Sequence, residues 1–131
     1  MKKLAALVFM LMAILPSMNA QTGNGNNNKG KLLRHAVMFK FKATSSQADI
    51  KTVEDAFRAL PSKIKEISAF EWGTNNSPEN LNQEFTHLFF ASFKSEADRA
   101  VYLPHPAHKA FVEVLKPHLD KVLVIDYWAK K

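Results

Sequence analysis

The stretch Tyr102-Leu103-Pro104-His105-Pro106-Ala107-His108 sets a phenol, two imidazoles and two prolines within seven positions. Imidazole changes charge near neutral pH and a phenol both donates and accepts, so acid–base chemistry is what these side chains offer. On its own the stretch marks a site and names no reaction. His105 and His108 are three apart, a spacing that a helical metal site uses. Pro104 and Pro106, however, disrupt regular helix at the first histidine, and no acid stands nearby to complete a ligand set. No metal and no cofactor are expected.

Three more polar side chains fall inside apolar segments. His35 and His87 each sit in an alternating run on the side that carries the larger apolar residues. Both are expected to point into one elongated helix–sheet pocket with Tyr102 and His108, as ligand contacts or as hydrogen-bonded core histidines. Each lies near the start of its strand, so an antiparallel sheet places them toward opposite ends and they do not share a metal. Asp126 is the only acid in the last apolar run, and it either faces solvent or pairs with a histidine, His35 or His108. Trp72 is expected to pack beside the turn after its strand, and His118, after Pro117, to be solvated.

The elements that position these groups follow from periodicity. Leu33, His35, Val37, Phe39 and Phe41 alternate with Arg34, Ala36, Met38 and Lys40 in a first strand. Thr44, Ser45 and Ser46 offer caps, and Ile50, Val53, Phe57 and Leu60 recur at helical spacing until Pro61, where the helix is expected to stop. Strands are predicted over 67–74, over 85–93 and over 122–128, the middle pair joined by the polar run 75–84. Ser95 caps a short turn over 96–102, and Pro106 starts a helix carrying Ala107, Ala110, Phe111, Val114 and Leu115. Strand, helix, strand, strand, helix, strand is the α+β, ferredoxin-like order: a four-stranded antiparallel sheet with the helices on one face. The other face, with Ala36, Met38, Leu88, Phe90 and Ile125, then has no partner within the chain. A homodimer that joins two sheets, closing an α/β barrel, is expected to cover it.

The chain of 131 residues has room for one domain. Lys2 and Lys3 followed by the apolar run Leu4 to Leu15 and a small residue at Ala20 read as a secretory signal over 1–20, cleaved after Ala20. The product would be secreted or periplasmic, with no stable membrane insertion after cleavage. Residues 21–31 are polar and rich in asparagine and glycine, a flexible linker, and the domain spans 32–128. The formal charge of +6 is mild and scattered, which argues against a nucleic-acid partner. The absence of cysteine removes disulfides, thiolate nucleophiles and Cys-bound metals.

Five separated blocks carry a resemblance: residues 33–42, the Glu71-Trp72-Gly73 turn with Asn75, Phe85-Thr86-His87, the Tyr102 to His108 motif, and Val124-Ile125-Asp126-Tyr127. Together they resemble the stress-responsive A/B barrel family over about residues 32–128. The resemblance implies a dimeric α/β barrel and, for most members, no assigned reaction. One plant member closes a linear polyketide by intramolecular aldol condensation without metal or organic cofactor. By that likeness Tyr102 and His108 would be the catalytic pair, His108 removing a proton beside a carbonyl and Tyr102 hydrogen-bonding to the enolate oxygen. Three functions stay open: a stress-related protein binding a small, partly apolar or aromatic ligand in the pocket, a cofactor-independent cyclase or lyase, and a structural module. In the first two, Phe39, Phe89 and Phe111 line the pocket. In the third they fill it.

Overall fold

The computed structural model describes residues 30–130; the expected signal and most of the linker lie outside the described residues. The elements are β1 (Leu33–Phe41), α1 (Gln47–Arg58), α2 (Leu60–Lys63), β2 (Ala69–Thr74), β3 (His87–Phe93), α3 (Glu96–Tyr102), α4 (Pro106–Leu115) and β4 (Leu119–Trp128). The strands form one four-stranded antiparallel sheet in the order β2-β3-β1-β4. This is the ferredoxin-like arrangement that the element order predicts.

Local chemistry fixes the ends. The Ser46 side chain accepts from the Asp49 backbone N–H while Asp49 accepts from Ser46 N–H, a reciprocal cap that starts α1. Ser95 caps α3 one way only, its side chain accepting from the Asp98 backbone N–H at 3.0 Å. Pro61 does not end the first helix. The chain leaves α1 at Ala59 and Pro61 sits in the first turn of α2, where its missing N–H has no intrahelical partner to lose. β4 begins three residues earlier than its apolar run, at Leu119, because its backbone pairs with β1 through a bulge at Lys40/Phe41. β2 and β3 each start two residues later than expected.

The helices bury Val53, Phe57, Phe111 and Leu115 against Leu33, Val37, Phe39, Phe89 and Phe93 of the sheet. Aromatic rings fill the centre, with Phe57 stacked on Phe89 at 4.3 Å between centroids and Phe39 5.4 Å from Phe89. The opposite face leaves Leu88, Leu123, Ile125 and Tyr127 substantially exposed. β4 is open on its helix side too, where Val122 and Val124 are 49% and 48% exposed.

Candidate functional site

His105 explains how the motif is held. Its Nδ1 accepts from the Ala107 backbone N–H at 3.1 Å and Pro106 occupies the first turn, so a histidine between two prolines is the cap of α4. That fixes His108 within the first turn of α4, half-buried, with its ring 4.5 Å from that of Tyr102 at the end of α3. His108 Nδ1–H donates to the Leu103 carbonyl at 2.9 Å, which leaves the Nε2 lone pair of the neutral ring as its proton acceptor. Burial lowers the His108 pKa, the nearby His35 and His105 lower it further, and the Leu103 bond opposes them. A groove of about 420 Å³ lined by Leu103, Val112, Glu113 and Lys116 reaches His108 from the surface.

Tyr102 lies behind His108 and is fully buried. Its hydroxyl is the one buried side-chain polar atom among the described residues without a hydrogen-bond partner. Burial, and after it the negative charge of Asp126, raises its pKa well above the ordinary phenol range, so it is a protonated donor. Its ring also meets the edge of His35 at 5.7 Å. His35 pairs with Asp126 across β1 and β4, and the Nδ1–H of its ring donates to Asp126 Oδ1 at 2.7 Å. Arg99 of α3 donates to the other oxygen, Oδ2, at 2.8 Å. The expected Asp126 partner is therefore His35, with a guanidinium that the sequence reading did not include. Its only sequence signal was its place on α3, one turn after the Ser95 cap.

His87 is not part of this group, which corrects the expectation of one pocket shared by both strand histidines. β1 pairs with β3 so that His87 lies opposite Phe39 and His35 opposite Ala91. His87 Nε2 bonds Glu54 Oε1 of α1 at 2.8 Å, and Nδ1 bonds the Thr86 hydroxyl at 2.8 Å. Glu54 was missed as well; it adjoins Val53 on the buried stripe of α1. Trp72 lies nearly parallel to the rings of His87 and Phe89, with the Arg58 guanidinium over its own ring, 5.7 Å from the centroid. Phe39, Phe89 and Phe111 are buried in the core and none lines the groove at His108. His118 is half-buried rather than solvated, 3.3 Å from the Ser45 hydroxyl. Among the described residues no three His, Asp or Glu side chains converge as a metal site would require.

The model of the stress responsive A/B barrel domain family matches residues 33–129. A stress-response A/B barrel domain-containing protein of Arabidopsis thaliana is 39% identical over 95 residues, 72% of this chain and 87% of that protein. Olivetolic acid cyclase of Cannabis sativa is 28% identical over 102 residues, 76% of this chain and 98% of the cyclase. The solved hydroxynitrile lyase of Passiflora edulis superposes with a TM-score of 0.72 at 26% identity, covering 77% of this chain and 95% of the lyase. A solved protein of unknown function from Bacteroides fragilis, described as dimeric with a ferredoxin-like fold, has a TM-score of 0.62 at 25% identity and covers 75% of this chain and 96% of its own. The chain belongs to the stress-responsive A/B barrel family.

Proposed function

With family membership as the premise, we propose that this protein is an exported homodimer that binds a small, partly apolar molecule carrying a hydrogen-bond acceptor beside Tyr102 and His108. The observation that carries this reading is the buried, unpartnered Tyr102 hydroxyl. A buried donor without a partner is unfavourable by roughly 1–3 kcal/mol, and a ligand oxygen placed against it removes that penalty. The half-exposed Val122 and Val124, on the face that also carries Asp126, supply apolar surface for the rest of the molecule. Export rests on the first twenty residues of the sequence. Dimerisation rests on the open apolar sheet face and on the dimeric description of the Bacteroides fragilis neighbour.

A second reading, cofactor-independent cyclase or lyase chemistry, is favoured by the protonation pattern of the pair. His108 is held neutral with its Nδ1–H committed to Leu103, so Nε2 can take a proton, and Tyr102 can donate to the oxyanion that forms. Two relatives carry the names of a cyclase and a hydroxynitrile lyase.

Native mass spectrometry with small phenols, aldehydes and β-dicarbonyls is the test. Retention of at least one compound, weakened about tenfold by Tyr102→Phe, supports the binding reading. Consumption of that compound, abolished by His108→Ala, adds catalysis. If nothing is retained, the packed interior around Phe39, Phe89 and Phe111 stands as a structural core. Light scattering at micromolar concentration tests the dimer, and one chain per particle would end that part of the proposal.

A further inference from the structure

The open face of the sheet carries two charges that its own chain leaves unmatched. The register sets Arg34 of β1 beside Ser92 of β3 and Ala69 of β2, and in the next row sets Ala36 beside Phe90 and Glu71. Arg34 lies along the sheet. Its guanidinium donates to the Ser92 hydroxyl at 2.7 Å, and its Cζ sits 5.5 Å from the centre of the Phe90 ring. Ser92 is buried, so the guanidinium is held at a fixed place on the face. A guanidinium has five N–H donors in a fork that fits a carboxylate. Among the described residues no carboxylate pairs with Arg34.

Glu71 is exposed on the outer strand β2, on the border of a cleft of about 240 Å³ that Arg34 also borders. The two do not bond each other, and among the described residues Glu71 has no ion-pair partner. The far end of the face differs. Lys40 is held there by Glu84 at 2.7 Å and by Asp120 at 3.2 Å, with Lys121 opposite it on β4. Between the ends the face is apolar, with Met38, Leu88, Phe90, Leu123 and Ile125.

We propose that Arg34 of each protomer pairs with Glu71 of the partner subunit, and that these two ion pairs set the register in which the sheets meet. The pairing rests on the homodimer already proposed for this face. When a second copy covers the apolar middle, Arg34 and Glu71 leave water as well, and a charge buried without a counter-ion is strongly unfavourable. In a two-fold dimer every contact occurs twice, so the face must be its own complement. One unmatched cation and one unmatched anion meet that condition when each copy's cation meets the other's anion. Registers that bring two guanidiniums or two carboxylates together are disfavoured by the same charges.

The test is sedimentation equilibrium of Arg34→Glu and Glu71→Arg, each alone and the two mixed in equal amounts. Either variant alone places two like-charge contacts in its dimer and should raise the dissociation constant about a hundredfold. Mixed, they form a heterodimer in which both contacts are again of opposite charge, and the dissociation constant should return to within about fivefold of the original. A pair formed inside one chain predicts no recovery on mixing, because each chain then keeps its own clash. Arg34→Gln, which can still donate to Ser92, should weaken the dimer about tenfold and recover in part with Glu71→Arg, which keeps the test open if Arg34→Glu does not fold. If the unmodified chain sediments as a monomer, the homodimer and the pairing fall together. The pairing alone is overturned if the unmodified chain is dimeric and the variants dimerise as tightly, or if mixing brings no recovery. It is overturned too if Glu71→Arg rescues Lys121→Glu rather than Arg34→Glu.

Discussion

Two histidines lie on the same covered face of the sheet, each bonded to a carboxylate, yet their surroundings differ in one respect. At the His87 end every polar group is matched: Glu54 and Thr86 occupy the imidazole, and Trp72 covers it. At the His35 end Asp126 is likewise matched, by His35 and Arg99, but the neighbouring Tyr102 hydroxyl is buried with no partner. A fully satisfied cluster specifies structure, whereas a buried orphan donor beside a half-open imidazole is unfavourable until something else supplies the acceptor. Burial of a histidine, which both ends share, therefore does not mark the site; incomplete satisfaction does.

The largest effects test whether packing, rather than polar matching, separates the ends. Phe89 lies 6.1 Å from His87 and Phe93 lies 6.1 Å from His35, both fully buried. Phe89→Ala and Phe93→Ala should each lower stability by about 3–5 kcal/mol in urea denaturation. A gap between them above about 2 kcal/mol would assign the difference to packing instead. Next, Asp126→Ala strands both His35 and Arg99 and should lower stability by about 1–3 kcal/mol, reduced from the fully buried case because Arg99 and Asp126 retain some exposure. Glu54→Ala strands one nitrogen of His87 and should lower it by about 1–2 kcal/mol. If Glu54→Ala proves the more damaging, the His87 end is the more tightly coupled of the two.

Tyr102→Phe sharpens the contrast further. Removing an unpartnered hydroxyl should leave the ligand-free protein within about 1 kcal/mol of its original stability, shifted toward greater stability. A loss larger than that would mean the hydroxyl has a partner after all. The smallest effect is a pH dependence. His108 is held below its ordinary value of about 6.5, first by burial, so the unfolded chain takes up a proton before the folded one does. Its contribution to stability is present above pH of about 6.5 and is lost as pH falls through the lower folded value. Urea midpoints at neutral and acid pH should therefore fall less in His108→Gln than in the unmodified chain.

Much of the fold was legible because alternation and helical spacing are local. The face shared by Leu33, His35, Val37, Phe39 and Phe41 could be read from parity alone and the Ser95 cap from its position, whereas the cap of α1 was narrowed only to Thr44, Ser45 or Ser46. Tyr102 beside His108 was legible for the same reason, six positions apart across a pair of prolines. Arg99 and Glu54 were not, since each reaches its partner across elements, over 27 and 33 residues of chain. Side-chain reach of that kind depends on how helices sit on the sheet, which no periodicity encodes. The separation of His35 from His87 was legible in strand direction, but it gave way to the expectation of a common pocket.

The Asp126 carboxylate has one more consequence, which concerns the chain before it folds. β4 runs Val122-Leu123-Val124-Ile125-Asp126-Tyr127 along an outer edge of the sheet, with apolar side chains exposed on both sides. Segments of this make-up, high in β-propensity and without proline, are templates for fibril growth when unpaired. Asp126 is the only charge in that run, so it interrupts the stacking of like strands at the position where it later bonds His35. Its removal should thus cost soluble yield during synthesis, beyond any loss that denaturation of the folded protein would register.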